Sequence, residues 1–109
     1  MDTKEFLIVA RETFDAIELR LDVLAVNDVD VLLEADSMLL LVNGSLGIRL
    51  VTDLAQSRIA ATESGAVTLF AYHDIEERWF SEDMQTELVT WLGVRISSLL
   101  GSTVDLRGD

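Results

Sequence analysis

The side chains of this sequence that could do chemistry are mainly carboxylates, and they concentrate between residues 15 and 36. The acids of this segment are Asp15, Glu18, Asp22, Asp28, Asp30, Glu34 and Asp36. The first three follow one another at steps of three and four residues, which aligns them on one face of a helix. Hard metal cations prefer oxygen ligands, so carboxylates at a helix end beside others on a strand can converge on one cation. The pattern predicts a weak, exposed metal surface.

The same acids also have a simpler interpretation. Side chains alternate along a strand, so the last four acids would share one side of residues 28–36. The residues expected on the other side are Val29, Val31, Leu33 and Ala35. One side would then pack into the core while the other meets water, and the charge would serve to keep a small domain in solution. Both interpretations stay open at this point.

Other chemistries find less support in the sequence. There is no cysteine, which excludes disulfides, thiolate metal sites and a cysteine nucleophile, and His73 is the single histidine. The serines lack a histidine and an acid in any recognisable order, and the glycines form no phosphate-binding loop. We expect a turn position for His73, core positions for Trp79 and Trp91, and no enzymatic activity.

Length and charge narrow the class of protein further. A chain of 109 residues, half of them apolar, is expected to form one domain spanning residues 1–109. Its net charge of −12 repels phosphate groups, which argues against nucleic acid and membrane surfaces and favours cationic partners or metal ions. The opening residues MDTKEF resemble neither a secretory signal nor a transit peptide. We expect a protein that works where it is made, or one that has been trimmed.

Apolar periodicity predicts a helix near each end of the chain. The first helix spans residues 3–24, with Asp2 and Glu5 forming a capping box at its start. Its apolar stripe consists of Phe6, Ala10, Phe14, Ile17, Leu21 and Leu24. The second spans residues 83–100, capped by Ser81 or Asp83 and ended by Gly101. Its stripe consists of Met84, Leu88, Leu92, Ile96 and Leu99. The tail after it is expected to lie back along the helices through Val104 and Leu106.

Between the helices, short apolar runs with brief connections predict an antiparallel meander. The predicted strands are 29–35, 38–42, 46–52, 58–62, 66–72 and 78–81, with a tight hairpin at Asn43 and Gly44. The run SMLLLV is interpreted as the hydrophobic centre of the sheet. The fold class is therefore α+β: a two-layer α-β sandwich in which two helices cover one face of five or six antiparallel strands. A partner would dock on the other face.

The chain resembles the frataxin family, and its bacterial CyaY type in particular, over nearly its whole length. The resemblance lies in MDTKEF at the start, IELRLD at the end of the first helix, and DVD at the first strand. It continues through NGS at 43–45, the Trp79 strand and GSTVDL at 101–106. It implies the same sandwich fold, weak binding of iron, and contact with the cysteine desulfurase and the scaffold protein of iron-sulfur cluster assembly, where it would modulate sulfur transfer. The compartment implied is the bacterial cytoplasm, or the mitochondrial matrix for a trimmed chain.

The resemblance assigns iron to four carboxylates: Glu18, Asp22, Asp28 and Asp30. The chain departs from the family in two places. Residues 23–27, VLAVN, stand where the bacterial family usually carries further acids. The family's Asn-Lys-Gln-x-Pro run is replaced by Thr52, Asp53, Leu54 and Ala55, and its exposed tryptophan aligns near Ile59. The missing residues are those with which the family meets the assembly proteins.

Two other classes of function stay open. A chain with this fold that has lost the iron and partner sites would serve as a structural or interaction subunit, which the departures favour. An acidic chaperone of secretion also combines helices with an antiparallel sheet and binds an unfolded segment along it. Such chaperones are usually longer and form dimers, whereas we expect a monomer here.

Overall fold

The computed structural model describes residues 2–107. Its elements are α1 (Thr3–Val23), β1 (Val29–Leu33), β2 (Ser37–Val42), β3 (Ser45–Asp53), β4 (Arg58–Glu63), β5 (Ala66–His73), β6 (Arg78–Ser81), β7 (Thr86–Glu87) and α2 (Leu88–Leu100). The strands form one antiparallel sheet in chain order from β1 to β7. The predicted α+β sandwich is confirmed, with seven strands instead of five or six. Within the described residues, no helix is both long and apolar enough to cross a membrane.

Helix α1 forms as its sequence predicts. The Asp2 carboxylate accepts a hydrogen bond of 2.8 Å from the Glu5 backbone N–H, which satisfies one of the free donors at the start of the helix. The apolar stripe is buried at Phe6, Ala10, Phe14, Ile17 and Leu21. Leu24, the last member of the predicted stripe, lies beyond the helix as its C-terminal cap and is exposed.

The start of the second helix was predicted wrongly. Residues 82–85 form a turn in which Gln85 has a φ of +51°, and β7 then pairs with β6 before α2 begins at Leu88. The Ser81 hydroxyl accepts a hydrogen bond from the Met84 N–H at 3.3 Å, so it caps the turn instead of the helix. Met84 is correspondingly exposed. A serine such as Ser81 can cap either a helix or a turn, and the pairing of β7 with β6 decided in favour of the turn.

Both helices pack on the same face of the sheet, and the tail closes that side. Trp79 and Trp91 are core residues as predicted, and Trp79 donates a hydrogen bond of 2.8 Å to the Thr13 hydroxyl. The tail lies back as expected, with Leu106 buried. Gly93 explains how the tail fits, because a Cβ there would lie 3.1 Å from the Val104 carbonyl oxygen. A side chain at this position of α2 would therefore push the tail away.

The turn at residues 34–36 ends β1 earlier than predicted. The Glu34 N–H donates to the Ser37 carbonyl oxygen at 2.9 Å, so the chain reverses directly after Leu33. The Asn43-Gly44 hairpin is confirmed, with φ values of +53° and +81°. Both residue types tolerate the left-handed region that this tight turn requires.

Candidate functional site

The last two turns of α1 supply the first two predicted metal ligands. Glu18 and Asp22 lie four positions apart on the helix, so their side chains are neighbours on its surface. Glu18 is half-buried and Asp22 is exposed. Asp22 also lies one residue before the end of α1, where the helix dipole already carries partial negative charge. The end of α1 therefore attracts cations through both its backbone and its side chains.

The chain reaches the third predicted ligand through a turn. Asp28 has a φ of +68°, and its carbonyl oxygen accepts a hydrogen bond of 2.8 Å from the Asn43 N–H. Aspartate tolerates this left-handed conformation better than most residues do. Because Asp28 precedes the strand and breaks its regular alternation, the prediction that it shares a strand side with Asp30 was wrong. The same prediction was wrong for Glu34 and Asp36, which lie in the turn after β1.

Asp30 is the one predicted ligand inside a strand. Along β1, Asp30 and Leu32 are exposed, whereas Val29, Val31 and Leu33 are half-buried against the core. Asp30 thus points to the side of the sheet away from the helices, while Glu18 and Asp22 belong to the helix layer. The four carboxylates follow one edge of the molecule but occupy both of its layers.

We refer to Glu18, Asp22, Asp28 and Asp30 as the acidic surface. None of the ion pairs formed by the described residues involves any of these four. Within residues 2–107, no three or more His, Cys, Asp or Glu side chains are grouped so that they could hold a metal ion. The side chains as placed therefore do not fit a preformed metal chelate.

Two of the other acids between residues 15 and 36, Asp15 and Glu34, have contacts of their own. Arg11 lies 3.3 Å from the Asp15 carboxylate and also donates to the Glu34 carbonyl oxygen at 3.3 Å. The Ser37 hydroxyl donates to the Glu34 carboxylate at 3.1 Å. Both members of the ion pair are about half exposed, so the pair adds little stability. The ion pair with Arg11 does neutralise the charge of Asp15, the first acid of residues 15–36.

The face of the sheet opposite the helices is a second candidate surface, which we call the open face. Paired residues on neighbouring antiparallel strands point to the same side, so the register defines its members. They are Asp30, Leu32, Leu39, Leu41, Leu46, Arg49, Val51, Asp53, Arg58, Ala60, Thr62, Val67, Leu69, Ala71, His73, Arg78 and Phe80. Most of them are apolar. The sequence predicted that this face would be open to a partner, but it did not identify the residues that form it.

The run SMLLLV illustrates what was missed. It was interpreted as the hydrophobic centre of the sheet, but only part of it is fully buried. Met38, Leu40 and Val42 point into the core, whereas Leu39 and Leu41 are half-buried on the open face. The sequence could have revealed these exposed leucines, because two helices can cover only one side of a sheet. An antiparallel strand that is apolar on both sides must then show apolar residues to solvent.

The position aligned with the family's exposed tryptophan does not lie on the open face. Ile59 is fully buried in the core, and its neighbours Arg58 and Ala60 point to the open side. Thr52 is also buried, and its hydroxyl donates to the Asp36 carbonyl oxygen at 3.0 Å. His73 ends β5 instead of lying in the turn, and the centre of its ring lies 5.7 Å from that of Phe80, with the two ring planes tilted by 55°.

Comparison with known proteins identifies the fold of this chain through a solved structure and not through its sequence. No protein-family model matches the sequence, and no curated protein matches it. A solved structure that is similar to it is the frataxin from Psychromonas ingrahamii, described as a model for stability modulation within the CyaY protein family. The TM-score is 0.89 at 18% identity, and the match covers 97% of this chain and 98% of that one. The chain therefore has the frataxin fold.

Proposed function

We propose that this chain is a frataxin-like protein that modulates iron-sulfur cluster assembly and is not an enzyme. The observation that carries the proposal is the likeness to a CyaY-family frataxin over almost the whole length of both chains. It is supported by the acidic surface, whose carboxylates lie at the end of α1 and the beginning of β1. In this role the chain binds the cysteine desulfurase and the scaffold protein of the assembly.

Iron is bound weakly, as cargo, at the acidic surface. A cation there takes one or two carboxylate oxygens and keeps most of its waters, because the described residues form no larger group of ligands. Glu18 and Asp22 supply one such pair across a turn of helix, and Asp28 and Asp30 supply single carboxylates nearby in the chain. Binding of this kind is weak and exchanges quickly.

Iron regulates the binding of the partner by changing the charge of the acidic surface. The acidic surface attracts a basic patch on the partner, and a bound ferrous ion reduces that attraction by neutralising part of the negative charge. Because the carboxylates are mostly exposed, salt screens the interaction over a distance of about 8 Å at physiological ionic strength. Rising salt should therefore weaken the complex.

A ferrous iron titration monitored by amide NMR tests the metal proposal. We expect shifts confined to residues 15–36, and their loss in the double variant Glu18→Gln/Asp22→Asn, which removes charge but little volume. The matched control is Glu82→Gln/Asp83→Asn, an exposed pair at the opposite edge of the sheet, which should leave the shifts intact. No response at millimolar iron, or a response spread over all exposed acids, would rule out a specific role for the acidic surface.

A second candidate is a structural or interaction subunit with the frataxin fold and no metal site. The observation that favours it is the lack of a metal-holding group within residues 2–107. The two candidates differ in the response to iron, because a subunit of this kind would show none, yet would still bind its assembly through the open face.

A further inference from the structure

A cavity of about 200 Å³ lies where α1, β6, the start of α2 and the tail meet. Its apolar walls come from one side chain of each: Ile17, Trp79, Leu88 and Leu106, none of them more than 5% exposed. These four side chains also belong to the core between the helices and the sheet. The cavity therefore lies on the helix side of the sheet, and it shares no residue with the acidic surface.

The size of the cavity suits one small apolar group. A protein cavity of about 150 Å³ lined by leucine, isoleucine and phenylalanine holds a benzene molecule. The larger volume here accommodates a benzene ring with a short carbon chain. Such a ring would pack against the indole of Trp79, whose N–H already donates to the Thr13 hydroxyl at 2.8 Å. The indole thus requires no hydrogen-bond acceptor from the ligand.

Two carboxylates line the margin of the cavity. Glu77 is exposed in the turn before β6, and Glu87 is half-buried directly before α2. The Glu87 carboxylate accepts a hydrogen bond of 2.9 Å from the Thr90 hydroxyl, which is a neutral donor. None of the ion pairs formed within residues 2–107 involves Glu77 or Glu87. The negative charge at the margin is therefore not balanced by an ion pair.

Arg78 also lines the cavity, but its charge is already balanced. It forms an ion pair with the Glu76 carboxylate. Its guanidinium carbon lies 5.0 Å from the centre of the Phe80 ring, and both residues belong to the open face. The Arg78 guanidinium is thus engaged on the other side of the sheet, and it leaves Glu77 and Glu87 as the charges that a ligand would meet.

Tyr72 gives a second indication that this region is negative. It pairs with Trp79 across β5 and β6, and the centres of the two rings lie 5.1 Å apart. Burial and the carboxylates of Glu77, Asp74 and Glu12 raise the pKa of the Tyr72 phenol. Carboxylates that oppose a further negative charge at this point favour a positive one.

We propose that this cavity binds a small apolar amine, in which an aromatic ring is joined to an ammonium group by a short carbon chain. The ring occupies the apolar interior, and the ammonium lies at the margin near Glu77 and Glu87. Cation–π attraction to the indole of Trp79 adds to the attraction by the two carboxylates. The inference goes beyond the proposed function, because neither iron nor a protein partner enters it.

Three ligands of nearly equal shape test the chemistry: 2-phenylethylamine, 2-phenylethanol and 3-phenylpropionate. Monitored by amide NMR at physiological salt, the amine should shift residues 13–17, 77–79, 87–89 and 106. It should bind about five- to tenfold more tightly than the neutral alcohol, and the anion should not bind. Ethylamine, which lacks the ring, should leave these residues unmoved. Equal binding of amine and alcohol, or no shift of these residues with millimolar amine, would overturn the proposal.

Removing the two charges supplies the first pair of variants. Glu77→Gln/Glu87→Gln keeps the size of both side chains and an acceptor for the Thr90 hydroxyl. It should reduce the affinity for the amine to about that for the alcohol and leave the alcohol unaffected. The control Glu82→Gln/Asp83→Asn makes the same charge change in the turn after β6, outside the cavity, and should alter neither ligand. Equal loss in both variants would show attraction to the acidic protein as a whole.

Filling the cavity supplies the second pair. Ala16 lines it from the exposed side of α1, so Ala16→Leu should weaken binding of the amine and the alcohol alike. The control Ala55→Leu adds the same side chain in the exposed turn after β3 and should weaken neither. Circular dichroism verifies that each variant is folded. Undiminished binding in Ala16→Leu would place the ligand elsewhere and contradict the proposal.

Discussion

The acidic surface and the open face differ in how they arise from the sequence. The acidic surface comes from residues close together in the chain, 18 to 30, and its charge is evident from composition alone. The open face comes from strands β1 to β6, whose contributions are separated by up to fifty positions. The structure spreads the acids of the first over two layers but assembles the second into a continuous patch. A conspicuous sequence pattern therefore marked the less organised of the two surfaces.

The largest expected effect concerns two leucines, one on each side of the sheet. Leu40 is fully buried beneath the helices, whereas Leu46 is 57% exposed on the open face. Leu40→Ala should lower the free energy of unfolding by about 2–5 kcal/mol, because it leaves a cavity in the core. Leu46→Ala should change it by no more than about 0.5 kcal/mol, as is usual for surface substitutions. Urea unfolding measures both.

Equal losses in the two leucine variants would mean that the open face is covered in solution, for example by self-association. Sedimentation at several concentrations would then identify the oligomer. A small effect at Leu46 would show that the exposed apolar side chains of the open face add little to the stability of the fold.

A smaller effect, of opposite sign, is expected at the acidic surface. Glu18 and Asp22 are like charges one helical turn apart, and Asp22 lies at the negative end of the α1 dipole. Asp22→Asn should therefore raise the free energy of unfolding by about 0.3–0.5 kcal/mol at low salt, and the gain should shrink as salt rises. The control Asp15→Asn removes an acid that is already paired with Arg11 and should bring no such gain. A loss of stability in Asp22→Asn would show that this carboxylate has a structural partner.

The smallest effect is a local titration in the tail. The hydrogen bonds from the Arg107 side chain and backbone lower the pKa of Asp105 to about 2. A lowered pKa in the folded state means that the interaction contributes at neutral pH and is lost as pH falls through the ordinary aspartate range towards about 2. NMR titration should show Asp105 ionised well below pH 4, and Arg107→Ala should return its pKa towards the ordinary value of about 3.9. An unchanged pKa in that variant would contradict this account.

Local patterns carried much of the fold prediction. The stripe from Phe6 to Leu21, the Asp2 cap and the Asn43-Gly44 hairpin were predicted, because each depends on residues close together in the sequence. The returning tail was predicted from its two apolar residues, Val104 and Leu106. The start of α2 was not, since Ser81 and Asp83 offered a plausible cap that β6 to β7 pairing replaced. The four carboxylates of the acidic surface remain predicted metal ligands, to be tested with iron.

By itself, the sequence determined the α+β class, the strand order of a meander, and the strongly acidic character of residues 15–36. These depend on periodicity, turn chemistry and composition, all of which act over short distances. Only the tertiary structure decided that Asp28 and Asp30 belong to different local geometries, and that Leu39, Leu41 and Arg49 point to the side of the sheet away from the helices. Side-chain direction in a sheet depends on where each strand begins and on its register with its neighbours. A shift of one residue in either would move every side chain of that strand to the opposite face of the sheet.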